Sequence, residues 1–312
     1  MTPDAFTPAF RAANPVEVLP LAKLTTMRIG GPATVVTLNR AEDLGEVLGR
    51  GLRWLGSGAN LLVSDEGVPG GVLRLGDGLA GLEIDGGRVR AGAGLDLATL
   101  IAACVQAGLA GPEGLAGVPA TVGGALRMNA GTVHCWMLDW VARVQVVLPG
   151  ERAPRWLERS ELPAGYRRCG LGEGALFLAC ELELGRGDPQ ALRRRAGELK
   201  QAKARTQPLA LPSAGCVFRN PRPDLPAGRL IDELGLKGTR VGGAVVSPIH
   251  ANFIVNERRA ASAADVAALI RIIRARAWQE RGVVLDLEVE DWGMPDDLRR
   301  HPAGATATAL AS

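Results

Sequence analysis

Three glycine-rich clusters are the first residues in this chain whose types and spacing could do chemistry: Arg28-Ile29-Gly30-Gly31-Pro32, Gly56-Ser57-Gly58-Ala59-Asn60, and a long stretch with glycines at 111, 114, 117, 123, 124 and 131. A turn needs one glycine or two. Greater density lets a loop fold tightly, aim several backbone N–H groups at one point and approach a pyrophosphate without side chains in the way. Any one cluster is read equally well as turn chemistry, whereas three together favour an anion cradle. A Rossmann fingerprint does not fit. Gly56-Ser57-Gly58 follows a predicted strand, but Leu61-Leu62-Val63 and then Gly67, Pro69, Gly70 and Gly71 cannot form the helix whose N-terminus would hold phosphate.

The elements that must position these loops are short. Alternating apolar residues predict strands at 34–38, 53–55, 61–63 and 71–75, a brief helix at 41–50, and a hairpin over 82–91 around Asp85-Gly86-Gly87. The clearest amphipathic helix is 96–107, with Leu97, Leu100, Ile101, Cys104 and Val105 on one face and Gly108 at its end. Strands return at 141–148 and 176–184, followed by a polar helix at 188–205 that ends before Pro208. A short helix at 230–234, a long one at 263–281 opened by Ser262 and Asp265, and a closing strand at 283–289 complete the pattern. With no regular βαβ rhythm, the expected fold class is α+β. The expected domains are 24–186, with two lobes, and a smaller one at 206–293. A Pro-, Ala- and Thr-rich disordered tail is expected over 294–312.

Bulk properties remove other classes. At 312 residues, 47% hydrophobic and 22% charged, the chain is an ordinary globular protein long enough for two or three domains. Its net charge is only +3 and its Lys and Arg are scattered, which argues against a nucleic-acid partner. The run Arg193-Arg194-Arg195 with Glu198 reads as a solvated helix face. No leader and no bilayer-spanning run is visible, so neither a membrane partner nor export is expected. Five cysteines without a C-x-x-C pair and only three histidines give no disulfide framework and no metal site, and fit a reducing cytoplasm.

RIGGPA, GSGANLLVSDEG and GLAGVPATVGGALRMNAG resemble, in that order, the flavin-binding stretches of the UDP-N-acetylenolpyruvoylglucosamine reductase (MurB) family. The FAD domain of that family is similar to that of the vanillyl-alcohol oxidase/p-cresol methylhydroxylase superfamily. The resemblance continues through PSAGCVFRNP, AGRLIDELGLKGTRVGGAVVSPIHANFIVN and GVVLDLEVEDWG, and so covers nearly all of 24–293. It implies noncovalent FAD, NADPH as hydride donor, and reduction of an enolpyruvyl ether on UDP-N-acetylglucosamine to a lactyl ether in peptidoglycan synthesis. Residues implied at the cofactor are Arg28, Ile29, Gly30 and Gly31; Gly56, Ser57, Gly58, Ala59, Asn60 and Leu61; Gly117, Val118, Pro119, Ala120, Thr121, Gly123 and Gly124; and Asn129, Ala130 and Gly131.

Three further residues carry the implied chemistry. Hydride addition leaves negative charge on the substrate's carboxylate and a carbon to be protonated, so a fixed cation and an acid are needed. Gly165-Tyr166-Arg167 matches the family's G-Y-R, making Arg167 the carboxylate's cation; alone, it would read as a surface or ion-pair residue. Glu288, in Leu285-Asp286-Leu287-Glu288-Val289, maps onto the catalytic glutamate; alone, it would read as the polar face of a strand. In PSAGCVFRNP the family's proton-donating serine is replaced by Cys216. A thiol, with a reference pKa of about 8.5, can protonate an enolate at neutral pH; the alternative is a small buried residue, with water delivering the proton.

Candidates for the sugar nucleotide are Tyr166, Arg205, Arg219, Asn220, Lys237, Arg240 and Asn252, for most of which surface charge or strand-end capping is an equal reading. Ala59 stands where serine is common, and Thr132-Val133-His134-Cys135-Trp136 departs from the family's small continuation. The short gap from Arg167 to Cys216 leaves no room for the tyrosine-bearing substrate loop of long-type enzymes, so the short type is implied, and a monomer is expected. The rivals are another flavin oxidase or dehydrogenase on the same scaffold, and a non-catalytic flavin-binding paralogue.

Overall fold

The computed structural model describes residues 1–165, 168–172 and 174–300. Its fold class is α+β, and the chain divides into two units. The first comprises Met1–Val18, Thr34–Ser57 and Gly70–Lys203; the second comprises Leu19–Ala33, Gly58–Pro69 and the chain from Ala204 onward.

The first unit holds the larger sheets. One has the order Val16–Pro20, Pro32–Leu38, Val72–Leu75, Arg53–Leu55, with Val35 and Arg53 both paired in parallel with Val72. The other is antiparallel, in the order Arg155–Glu158, Val141–Val147, Leu176–Glu183, Arg88–Gly92, Leu82–Asp85. The Leu97–Gln106 helix buries the apolar face read from its sequence, is capped by Asp96 Oδ1, and ends at Gly108 with φ +68°. The helix expected at 41–50 is shorter. A 3-10 turn at Ala41–Asp43 runs into Leu44–Val47, and Gly49 and Gly51, at positive φ, end it.

A helix that the sequence reading left inside the glycine stretch forms at Val122–Arg127. Two glycines in its first turn give it poor intrinsic propensity. It is held instead by Thr121 Oγ1, which accepts Gly124 N–H at 3.2 Å, and by fully buried Val122, Ala125 and Leu126.

The second unit has an antiparallel sheet of Arg240–Val241, Ala244–Val246 and Ile254–Asn256, beside helices Ala227–Glu233 and Ala263–Arg281. The long helix carries the Ser262/Asp265 capping box and stops at Gly282, φ +64°. Asp65, from the second glycine-rich motif, also accepts the N–H of Ala263 at its start, at 2.8 Å. Residues 19–33 and 58–69 were placed by sequence in the 24–186 domain or ahead of it, yet they group here. Met27, Ile29 and Leu62 enter this unit's core, and Leu61–Val63 pairs in parallel with Glu290–Trp292.

Two expectations fail. Residues 283–289 are not a continuous strand: only Leu287 bridges to Phe218, and the chain then leaves that neighbour for Leu61–Val63, with strand beginning at Glu290. Nor does a disordered tail begin at 294. Met294 and fully buried Leu298 belong to the core, and Asp296–Arg299 is a 3-10 turn. Arg274, itself buried, explains both outcomes. Its Nε donates to Leu285 O at 2.8 Å and its Nη1 to Leu298 O at 2.5 Å. Burial pushes its guanidinium below the usual range, with Asp286 opposing the shift.

Candidate active site

In the first unit the glycine loops meet. Ser57 Oγ donates to Pro119 O at 3.1 Å, and a Cβ on Gly56 would stand 2.9 Å from Thr121 Oγ1. Not every amide of the long stretch is available. Val118 N–H is taken by Leu115 O, Val122 N–H by Leu95 O, Gly123 N–H by Ala93 O and Gly124 N–H by Thr121 Oγ1. The amides of Gly56, Ser57, Gly117 and Ala120 have no acceptor among the described residues. Unpartnered N–H groups beside glycines whose missing Cβ leaves space are what a dinucleotide's phosphates require, so this unit fits FAD.

The loop is held from outside. Glu113, 3% exposed, accepts Gly111 N–H at 2.5 Å and lies 3.7 Å from Arg195 Nη1 on the Pro189–Thr206 helix. One to two turns on, Lys200 and Lys203 lay their stems against Gly117.

Next to this cradle is a cleft of about 610 Å3, part of it open to solvent, walled by Gly56, Gly123, Gly124 and Thr121, all expected from sequence. Trp54, Arg74, Gly94, Arg127 and Phe177 also line it, and the sequence reading missed them. The available signals were that Trp54 lies two residues before Gly56, and that Arg127 follows Gly124 by three residues, close to one helical turn.

Asn129 and Gly131, expected at the cofactor, also have structural partners. Asn129 Oδ1 accepts Leu138 N–H at 3.1 Å, and its Nδ2 donates to Gly165 O at 3.4 Å. A Cβ on Gly131 would stand 2.1 Å from the Trp136 ring. The unusual 132–136 stretch now has a physical account: Thr132 Oγ1 donates to Gly114 O at 3.0 Å, Thr132 N–H bonds Cys135 O, and Cys135 Sγ fills the space that a side chain at Gly114 would need. Tyr166 and Arg167, next after Gly165, lie outside the described residues.

The second unit holds the other reactive candidates. Glu288 N–H bonds Val217 O at 2.8 Å, so the chain at Glu288 runs directly beside the chain at Cys216; both side chains are half-buried. Asn60 ties to the same segment, its Nδ2 donating to Glu288 O at 3.1 Å and its carbonyl accepting Glu290 N–H at 2.9 Å. Asn252, read from the sequence as a substrate contact, clamps the backbone at Phe218. It is 3% exposed, its Oδ1 accepts Phe218 N–H at 2.9 Å and its Nδ2 donates to Phe218 O at 2.8 Å.

Other candidates also have structural partners. Asn220 Oδ1 caps Ala227 N–H, Lys237 pairs with Asp232 at 2.6 Å and Arg240 with Glu257 at 2.7 Å. Arg205 and Arg219 are exposed. The first glycine cluster has packing partners: Ile29 is core, a Cβ on Gly31 would lie 2.0 Å from Asp65 O, and one on Gly30 would lie 3.0 Å from Val63 Cβ. Arg28 Nη1 bonds Lys23 O.

None of the five cysteines is in a disulfide. Burial pushes the Cys104 thiol up to about 11, with help from Glu113, and Cys180 to about 12. Burial likewise raises Cys135 and Cys169. Those four are core or near-core groups, poor at proton exchange near neutrality. Among the described residues no helix is long and apolar enough to cross a membrane.

The comparisons agree along the chain. Residues 32–153 match the family model of an FAD binding domain, and residues 207–292 that of the C-terminal domain of UDP-N-acetylenolpyruvoylglucosamine reductase. The enzyme of that name from Heliobacterium modesticaldum is 41% identical over 278 residues, covering 86% of this chain and 88% of its own. The one from Anaeromyxobacter dehalogenans is 43% identical, covering 89% and 86%. The crystal structure of the Thermus caldophilus enzyme (MurB) superposes with TM-score 0.81 at 41% identity, over 89% of this chain and 99% of that one.

Proposed function

Because the chain belongs to the UDP-N-acetylenolpyruvoylglucosamine reductase family, we propose that it uses FAD and NADPH to reduce UDP-N-acetylglucosamine enolpyruvate to UDP-N-acetylmuramate. Bound FAD supplies the hydride relay from NADPH to the enolpyruvyl double bond. The first unit contributes the cradle, the loops around Gly56, Ser57, Gly117 and Ala120, whose amides face the pyrophosphate. The second contributes the proton. Cys216 delivers it to the substrate carbon, Glu288 supports the developing enolate by hydrogen bonding or by orienting Arg167, and Arg167 holds the carboxylate.

The adjacency of Glu288 and Cys216 through the bond from Glu288 N–H to Val217 O carries this reading. Arg219 and Arg205 are the exposed cations suited to a diphosphate; Lys237 and Arg240 would have to exchange their present carboxylate partners for it. The protein acts as a cytoplasmic monomer without nucleic-acid or membrane partners.

Anaerobic stopped-flow on FAD-loaded protein tests the proposal. Flavin absorbance should bleach with NADPH and recover rapidly with the enolpyruvyl substrate. Recovery only on admitting oxygen would identify an oxidase, and absence of bleaching a non-catalytic paralogue.

A further inference from the structure

The turn that carries Cys216 is held by a residue that belongs to none of the chain's recognised motifs. Thr26 lies two residues before Arg28, in a segment of the second unit, and is half-buried. Its Oγ1 donates to Ser213 O at 2.7 Å, with Gly58 O a second, longer acceptor at 3.3 Å. Its backbone N–H donates to the same Gly58 O at 3.1 Å. One threonine therefore joins two loops of its unit: the turn Pro212-Ser213-Ala214-Gly215-Cys216, and the Gly58-Ala59-Asn60 end of the second glycine cluster.

Each loop leads to one of the two groups proposed for the chemistry. From Ser213 the chain reaches Cys216 through Gly215, at φ +77°, and is fixed again at Val217, whose N–H bonds Asn252 O at 2.8 Å. From Gly58 it reaches Asn60, whose Nδ2 donates to Glu288 O at 3.1 Å. A Cβ on Gly215 would lie 3.9 Å from Ala59 O, so the two loops run alongside each other. Glu288 N–H then closes the ring on Val217 O at 2.8 Å. In this ring the turn bearing the thiol has an anchor at each end, Asn252 O beyond Cys216 and the Thr26 hydroxyl before it. Between those anchors sits a glycine, the most compliant residue a turn can contain. Without the hydroxyl, the Ser213 end is released and the thiol's place beside the Glu288 segment is no longer fixed.

We infer that Thr26 is a positioning residue for Cys216: its hydroxyl anchors the turn at Ser213 O and so holds the thiol in register with Glu288 for proton delivery. The inference rests on the reading of Cys216 as the acid and names the group that aims it. A misplaced acid delivers its proton late, which lets the substrate's enolate revert, so net reduction slows while flavin reduction does not.

FAD-loaded full-length protein would be followed by anaerobic stopped-flow in H2O and D2O. Thr26→Val, which keeps the side chain's shape and removes the hydroxyl, should leave flavin reduction by NADPH normal. It should slow the substrate-reducing half-reaction roughly tenfold to a hundredfold and enlarge the solvent isotope effect on that step. Thr26→Ser should restore both. Added to Cys216→Ala, Thr26→Val should cause almost no further loss, because nothing is left for the hydroxyl to aim. Should Thr26→Val not fold, Thr26→Ala and Thr26→Ser carry the same comparison. A valine variant with wild-type rates, or one that slows both half-reactions alike and multiplies its loss onto that of Cys216→Ala, would overturn the inference. Normal turnover by Cys216→Ala would instead sink the reading on which it rests.

Discussion

The two units prepare for their tasks in opposite ways. In the first, the proposed cradle is made by what is missing: glycines without Cβ atoms, amides without acceptors among the described residues, and a cleft beside them. In the second the proposed site consists of side chains, Cys216 and Glu288, on irregular backbone that Asn252, Asn60 and Arg274 hold in register. The first arrangement tolerates many ligands of one shape and is spoiled by adding atoms. The second, as proposed, serves one reaction and would be spoiled by removing a single polar atom.

The largest expected effect tests the side-chain half of this contrast. Cys216→Ala should cut the substrate-reducing half-reaction by roughly 10²–10⁴-fold while flavin reduction by NADPH stays normal, and Cys216→Ser should remain active. An alanine variant with normal turnover in stopped-flow would assign the proton to water. Next comes the backbone half. Gly124→Val, which puts atoms into the cleft, should weaken FAD binding by about 1–3 kcal/mol with little change in the melting temperature of the flavin-free protein. Equal losses of binding and stability would show that Gly124 serves packing, as Gly31 does.

Ser262→Ala removes one half of the capping box and should cost about 1 kcal/mol in denaturant unfolding without altering FAD affinity. The smallest effect is expected at His250. Burial, and then the Lys237 ammonium, push its imidazole below the usual range, so the unfolded chain binds a proton more readily than the folded one. Its contribution to stability is complete above the unfolded pKa of about 6.5 and is lost as pH falls through the lower folded value. His250→Gln should flatten the fall in melting temperature below about pH 6.5; an unchanged slope would remove His250 as its source.

The same contrast governs what could be read before the structure. Periodicity and caps gave the Leu97–Gln106 and Ala263–Arg281 helices because local sequence and tertiary burial agree there. Glycine density pointed to the cradle, but could not separate Gly124, which borders the cleft, from Gly31, which merely packs on Asp65 O. Arg74 gave no signal, since a single residue on a short strand acquires its meaning only from the strands beside it, and Trp54 gave only its place two residues before Gly56. Cys216 and Glu288 were legible only through motif resemblance. Alternation suggested a strand at 283–289, but the chain there divides its hydrogen bonds between residues 217–219 and Asn60.

Arg274 links the reaction to a part of the chain that looks dispensable. Two of the carbonyls its guanidinium meets, those of Leu298 and Arg300, lie beyond residue 292, where the family match ends. A gene trimmed to that match, or a fusion made there, would leave a buried cation short of acceptors one hydrogen bond away from Leu285, three residues before Glu288. Such a shortened protein should melt lower and turn over more slowly although no residue of the proposed site has been touched, so Leu298 and Arg300 belong on the retained side of any cut.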